Sequence, residues 1–485
     1  MHRESKLKIY PQPAYAEEHN AGYSLKVRPL GENSWQDLPV YAVKVDMHDP
    51  REAGMATFDF EGVVEIEMIY DKFQPIYQAA IHPLSLGIEP KFEGSRLSFT
   101  LEEANDLAVV VNNERFHNLH LFANPIEEAP AKDNENVLVI KGDLERYSIL
   151  PESNYLNEQI AQLGPNPLVY FEAGYHSMCE FIWQIPSGTT VYFEGGAVFR
   201  GSLIIEDAEQ VTIFGRGIID QKTFGQISGT RGIRLQRAQN VAVHDLIMIN
   251  PGHYTIYVGQ STKILLENIR SFSCEGWTDG IDMMSSQDIT VSGGFLRTSD
   301  DCIAVYGSRW QNYGDTSNVL VEGITLWADV AHPMMIGTHG DHEHHGDKIE
   351  NLIFRNIDII DQHELQDNYL GVMAIAPGDM NVVRNIQFEN IRVEGMSHGR
   401  LFDFRVKHNS DYNPSPGRGI EDVTVKDIFV TSSKGEEVSF LAGFDEARRV
   451  KNIRFENIVR DGKKVTDFAA AKIVVGEFTT DVSIK

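Results

Sequence analysis

The sequence predicts an all-β protein: a right-handed parallel β-helix preceded by an N-terminal antiparallel β-sandwich domain. Three observations predict it. From about residue 200 one motif recurs, a run of alternating apolar residues, then Asn, Asp or Gly, then a second apolar pair. Before residue 150 the alternating runs are more closely spaced, with turn residues between them. Asp279 in TDGID and the adjacent pair Asp300 and Asp301 in SDDCIAVYG lie 21 residues apart inside the recurring array, close to one coil of such a helix.

In chain order, YSLKVRPL, YAVKVDMH, FEGVVEIEMIY, SRLSFTLE, LAVVVN, LHLFANP and VLVIKGDL alternate polar and apolar residues. That is the period of strands with one buried face, so residues 1–150 are expected to form the sandwich. Residues 151–167 read as a linker with a short helix, and residues 168–485 as the parallel β-helix catalytic domain. The motif appears as VTIFGRGIID at 211, VAVHDLIMIN at 241, ILLENIRSFS at 264 and ITVSGGFLRT at 289, and continues to IRFENIVRDG at 453. Steps of 23 to 37 residues suit coils with loops of unequal length, whereas propeller blades repeat at about 40–50 residues. Asn268, Asn356, Asn390 and Asn457, with Asp245 and Asp427, hold the polar position of the motif. A tight corner there wants left-handed backbone and a short side chain that bonds to the coils above and below. An open end of the stack exposes unpaired strand edges, and the sandwich is expected to cover part of it.

The 485 residues exceed one ordinary core unless a repeat fold absorbs the length, and 42% hydrophobic content fits a soluble globular protein. No apolar run approaches the ~20 residues of a membrane span. The formal charge of −27 disfavours nucleic acid and, more weakly, a polyanionic substrate. Cys179, Cys274 and Cys302 are odd in number and widely spaced, neither a disulfide framework nor a metal signature. The first 20 residues hold no secretory apolar run, so a cytoplasmic location is expected unless a leader has been removed.

Aspartate is common in β-helix turns, where it caps backbone N–H groups, and a lone TDG or DD would be read that way. Both together, one coil apart, favour chemistry. Stacked strands lie about 4.8 Å apart, so the carboxylates become neighbours, and crowded carboxylates cannot all ionise. One then keeps its proton to higher pH, as acid/base cleavage of a glycosidic bond requires. Consecutive strand residues point opposite ways, so Asp300 and Asp301 share a site only if the backbone bends at 299–301. Trp277, Tyr306, Trp310 and Tyr313 flank the motifs as rings that stack on sugar faces or anchor loops. THGDHEHHGD at 338–347 is rich in imidazole and carboxylate but lacks HExxH spacing, so a loop rimming the cleft is expected and no metal. GGAVFRG and FGRGIID carry corner glycines without a following helix, so no nucleotide cofactor is expected.

TDGID at 278–282, SDDCIAVYG at 299–307 and HPMMIGTHG at 332–340 resemble the signature blocks of glycoside hydrolase family 28, the polygalacturonase group. A sandwich with SLGI at 85–88 and LHLFANP at 119–125 ahead of such a helix is similar to glycoside hydrolase family 49, the dextranase and isopullulanase group. The resemblance covers most of the chain, is strongest at the aspartates and weakens towards the carboxyl terminus. It implies inverting hydrolysis without a cofactor: Asp300 as general acid, Asp279 and Asp301 activating water, and His332 holding Asp300 or a substrate hydroxyl. Acid and base are then expected about 6.5–9.5 Å apart. The family-28 Arg-Ile-Lys triplet, which clamps the galacturonate carboxylate, has no basic counterpart in YLGVMAIAPGD at 369–379. A buried carboxylate without a cation is costly, so a neutral sugar is expected, unless Arg405 and Lys407 in the next coil supply the clamp.

The leading expectation is an inverting glycoside hydrolase acting on an α-linked polysaccharide or oligosaccharide, with no nucleic-acid or membrane partner. A polygalacturonase-like hydrolase with a relocated clamp is the second. A non-catalytic glycan-binding β-helix stays open; convergence of the three aspartates in one open cleft separates it from an enzyme. Sugar, linkage, endo or exo action and oligomeric state leave no readable mark.

Overall fold

One apolar residue from each repeat stands in a single column through the molecule. Val211, Val241, Ile264, Ile289, Val319, Leu352, Ile386, Val423, Ile453 and Val482 pair in register from coil to coil. The computed structural model describes residues 6–14, 22–71, 74–222, 231–366 and 368–485. Residues 1–5 and 15–21, part of the segment whose lack of an apolar run set the expected location, lie outside that description. The column belongs to a 29-stranded sheet, parallel except where Lys463–Val465 folds back on Val450–Arg460, wound as a β-helix that is right-handed as parallel crossovers are. Alternation places the motif's apolar residues in one continuous core running from Leu150 to Ile473.

The corners follow from the polar position. Asp245, Asn268, Asn356, Asn390, Asp427 and Asn457 all have φ between 50° and 66°. Their amides form ladders along the stack: Asn268 donates to Asp245 (3.1 Å), Asn390 to Asn356 (2.9 Å) and Asn457 to Asp427 (2.7 Å). Only Gly, Asn and Asp take this conformation at low cost.

Two boundaries move. The parallel stack begins at Val137–Ile140 and Tyr147–Leu150, which pair with Leu168–Phe171 and Gly174–Gln184, so it starts before residue 168 and the sandwich ends before 150. VLVIKGDL alternates like a sandwich strand, and alternation alone does not separate parallel from antiparallel partners. The helix Ser153–Ile160 is therefore inside the first coils, not in a linker. It buries Leu156 and Ile160 in the β-helix core, and Asn157 bonds Trp183 Nε1 (3.0 Å) and Gln184 O (2.8 Å).

The sandwich comprises a six-stranded and a five-stranded sheet around Val27, Phe58, Ile66, Leu97 and Leu107. Its pairs are antiparallel except Leu119–Pro125 on Arg51–Glu61. It packs along the flank of the coils, which corrects the expected cover over an open end. The reason is an outward apolar stripe, Ile218, Ile247, Phe272, Phe295 and Trp327, which meets Met55 and Phe122 of the sandwich. Buried arginines of the coils reach across: Arg216 to Asp59 (3.0 Å), Arg270 to Asp106 (2.9 Å) and Arg297 to Asn118 (2.7 Å).

Candidate active site

The strands Ile256–Gly259, Ile281–Met284, Ile303–Tyr306 and Met334–Gly337 stack in register. Ile281, Met283, Ile303 and Val305 point into the core, so Asp282 and Tyr306 face outward. The chain leaves strand Gln287–Thr298, bends at Ser299 and Asp300, and re-enters at Ile303; this is the break that an adjacent pair of aspartates needs. Asp279 precedes Ile281 and lies beside Asp301, with Gly280 N donating to Asp301 O at 2.8 Å. One carboxylate oxygen from each of Asp279, Asp300 and Asp301 lies within 4.8 Å of the others. They open on a cleft of about 270 Å³ lined also by Tyr254, Trp277, Tyr306, Arg309, Tyr369 and Tyr412, and by Met47 of the sandwich.

Asp300 is the most open of the three aspartates. Its Oδ2 accepts the Trp277 amide (3.0 Å) and its Oδ1 the Asp301 amide (3.0 Å). Trp277 sits at φ 60°, a left-handed conformation rare for a bulky residue, and this aims its amide at Asp300. Burial, then the charge of Asp301, push the Asp300 carboxyl up to about 7, against the two amides. Asp279 is raised by burial and by Asp282, Asp300 and Asp301. Asp301 is held from the next coil: its Oδ1 meets His332 Nδ1 at 2.6 Å and the His332 amide at 3.1 Å. The Tyr306 hydroxyl lies 3.5 Å from its other oxygen. Among the described residues, the three aspartates are also the one set of His, Cys, Asp or Glu groups spaced to hold a cation.

Asp282 is a fourth carboxyl, with no exposed surface. Neither of its oxygens has a hydrogen bond of ordinary geometry, although the Tyr254 hydroxyl is near enough to favour its charged form. Burial, then Asp301, raise it well above the usual carboxylate range. In the unfolded chain it ionises near pH ~4. The native state therefore binds more protons above that pH, and stability falls as pH rises. Asp282→Asn, close in shape to the protonated acid, should raise the thermal midpoint by a few degrees at about pH 8 and hardly at about pH 4. Equal shifts at both pH values would show that the carboxyl is not the cause.

The structure brings Asp279, Asp300, Asp301 and His332 together, with His332 on Asp301 and not on Asp300. Trp277, 70% exposed, stands on the rim. Tyr306 is only 3% exposed and props Asp301, so it offers a sugar no open face. Trp310 packs on Tyr257 and His253 beside the cleft. Tyr313, 62% exposed, is not among the residues lining it. Arg405 and Lys407, the expected clamp, are not among the residues lining the cleft. Both turn to buried Asp403, Arg405 through two bonds and Lys407 at 3.5 Å, because that carboxylate needs them. In the His-rich loop His344 pairs with Asp341 (2.9 Å), while Asp347 turns inward to Ser308 N (2.7 Å). Asp282 could have been found by strand alternation within TDGID. Tyr369, Tyr412 and Met47 come from irregular segments and another domain and carry no sequence signal, whereas Arg309 stands next to Trp310.

A cleft of clustered, partly protonated carboxyls on a parallel β-helix, behind a β-sandwich, defines a glycoside hydrolase. Residues 216–475, more than half of the chain, match the family model for glycosyl hydrolases family 28, and the chain belongs to that family. It is 25% identical over 188 residues to probable endopolygalacturonase D of Neosartorya fischeri, covering 37% of this chain and 34% of that protein. It is 29% identical over 194 residues to probable endopolygalacturonase A of Aspergillus niger, covering 38% and 48%. The chain thus spans a third to a half of the length of these curated relatives. In fold it is similar to Dex49A from Penicillium minioluteum, with a TM-score of 0.62, 13% identity, and 98% of this chain and 96% of that one covered. The family 28 exopolygalacturonase of Yersinia enterocolitica superposes with a TM-score of 0.52 at 12% identity, covering 93% and 98%.

Proposed function

We propose that the chain hydrolyses α-glycosidic bonds of a polysaccharide or oligosaccharide with inversion, using Asp300 as acid and Asp279 and Asp301 as the base pair. The observation that carries this is three adjacent carboxyls of unequal exposure, of which the most open holds a proton up to about pH 7. Asp300 gives that proton to the leaving oxygen, while Asp301 takes one from water, with Asp279 beside it orienting that water. The nearest oxygens are closer than the expected 6.5–9.5 Å between acid and base, and a separation of about 5–5.5 Å would suit a retaining nucleophile. Exposure favours inversion: Asp279 and Asp301 are 3% and 1% exposed, and a nucleophile must touch the anomeric carbon where a base needs only a water. Proton NMR of the first sugar released from an α-linked oligosaccharide should show the β-anomer. An α-anomer would sink the inverting mechanism.

A second reading concerns the sugar. The relatives named endopolygalacturonase act, by their names, on a polymer of acidic sugars. With Arg405 and Lys407 committed to Asp403, that substrate needs another cation.

A further inference from the structure

The corner ladder has a gap. Asp245, Asn268, Gly293, Gly323, Asn356 and Asn390 occupy successive corners, as the paired residues on either side of them show. Asn268 donates to Asp245 and Asn390 to Asn356, but the two glycine rungs between carry no amide. Asn268 Oδ1, the acceptor for the missing rung, has no donor among the described residues. Over this gap lies a second cavity, of about 310 Å³, between the coils and the sandwich. Gly293, Gly294 and Gly323 line it on one side, Pro83, Leu86 and Asn105 on the other, and it shares no lining residue with the aspartate cleft. Its volume is at the lower end of the ~300–1,000 Å³ of small-ligand sites.

Packing accounts for two of the three glycines. A Cβ on Gly293 would lie 2.3 Å from Asn268 Oδ1, and one on Gly294 2.2 Å from Ile269 O. At Gly323 the nearest atom would be 3.8 Å away, and its φ of 66° equals that of Asp245. An asparagine fits this corner as it fits the others, so the glycine keeps the cavity open. Thr325 indicates for what. Leu326 packs in the core and Trp327 in the outward stripe, so alternation turns Thr325 outward, to the cavity it lines. It is only 7% exposed, and its hydroxyl has no partner among the described residues. Leaving a buried hydroxyl unpaired is costly. The charges around it are already closed: Arg270 holds Asp106 and Asn124 Oδ1 (each 2.9 Å), and Asp358 accepts from Arg392 (2.7 Å). An ion finds no free counter-charge here, whereas a hydroxyl and an amide oxygen stand open.

We propose that this cavity is a carbohydrate-binding site separate from the catalytic cleft, and that it takes a short neutral sugar chain. Sugar hydroxyls, donors and acceptors at once, pair with Thr325 Oγ1 and Asn268 Oδ1. The C–H faces of the ring meet Pro83, Leu86 and Pro125. The site goes beyond the hydrolase reading and does not depend on it.

Titration calorimetry on Asp300→Asn, which should block turnover, tests this with two neutral probes, maltotriose and isomaltotriose. At least one should bind in an event that weakens at least ~10-fold when Gly323→Asn is added, because the restored rung fills the cavity. Thr325→Val keeps the shape and removes only the hydroxyl, and should weaken the same event about 3–10-fold. Trp277→Ala, on the rim of the aspartate cleft, should leave it unchanged. The proposal is overturned if neither trisaccharide binds, or if either Gly323→Asn or Thr325→Val binds as tightly as Asp300→Asn alone. It is also overturned if Trp277→Ala removes the event, which would place the sugar in the aspartate cleft. Should Gly323→Asn lose its fold by circular dichroism, Thr325→Val decides alone: unchanged affinity overturns the proposal. The hydrolase reading is decided separately, by the anomer released from an α-linked oligosaccharide.

Discussion

Asp300→Asn should lower kcat by about 10²–10⁴ while leaving KM within a few-fold, because an amide cannot supply the proton that the leaving oxygen needs. The substitution is nearly isosteric, and its carbonyl oxygen can still accept one of the two amides that Asp300 now holds, so the cleft should keep its shape. The parent's activity should fall as pH rises through about 7, where Asp300 loses its proton. That limb should vanish in the variant. Substrates sharpen the assignment: an aryl glycoside with an acidic phenol leaves without protonation, so Asp300→Asn should cut it with little loss. Asp301→Asn should be slow on both, since its damage is to the attacking water. If Asp300→Asn is equally slow on the aryl glycoside and the natural linkage, Asp300 is not the acid.

These residues were legible because the β-helix writes its geometry into the sequence. The motif starts at Val211, Val241, Ile264 and Ile289 are the residues that stack in one core column. The corner Asn and Asp residues were readable for the same reason, since the left-handed turn admits few other side chains. A coil of about the observed spacing brings Asp279 to Asp301, and the required bend at Ser299 and Asp300 follows from strand alternation. What failed lacks such a period. VLVIKGDL has the alternation of either architecture, so only its partner, Leu168–Phe171, shows where the stack begins. Arg405 and Lys407 stand one coil on, as a clamp might, but the demand of buried Asp403 is a three-dimensional fact. The side-on docking of the sandwich is likewise invisible locally, because Ile218, Phe272, Phe295 and Trp327 look like ordinary strand residues until both faces are seen to be covered.

That docking places the largest expected stability effect far from the aspartates in function but next to them in the chain. Arg297 has no exposed surface; its guanidinium bonds both oxygens of Asp329 (2.8 and 3.1 Å), Asn118 Oδ1 (2.7 Å) and Arg115 O (2.9 Å), and lies 3.8 Å over the Trp327 ring. Asp329 is equally buried, so Arg297→Met would strand a carboxylate and two acceptors, with Arg115 at 3.7 Å a partial substitute. Breaking such a pair costs about 3–5 kcal/mol, which should appear as a clear drop in the thermal midpoint. Adding Asp329→Leu removes the stranded charge and should recover part of the loss, since the penalty lies in the unpaired ion more than in the missing bond. Arg297 stands one residue before Thr298, whose hydroxyl donates to Asp300 O, and three before Asp300 itself. Activity of Arg297→Met, measured well below its midpoint, should therefore fall as well, through a loosened bend at Ser299 and Asp300. A variant as stable as the parent would show that Arg297 contributes nothing net to the joint, which would then rest on the apolar stripe and on the Arg216 and Arg270 pairs.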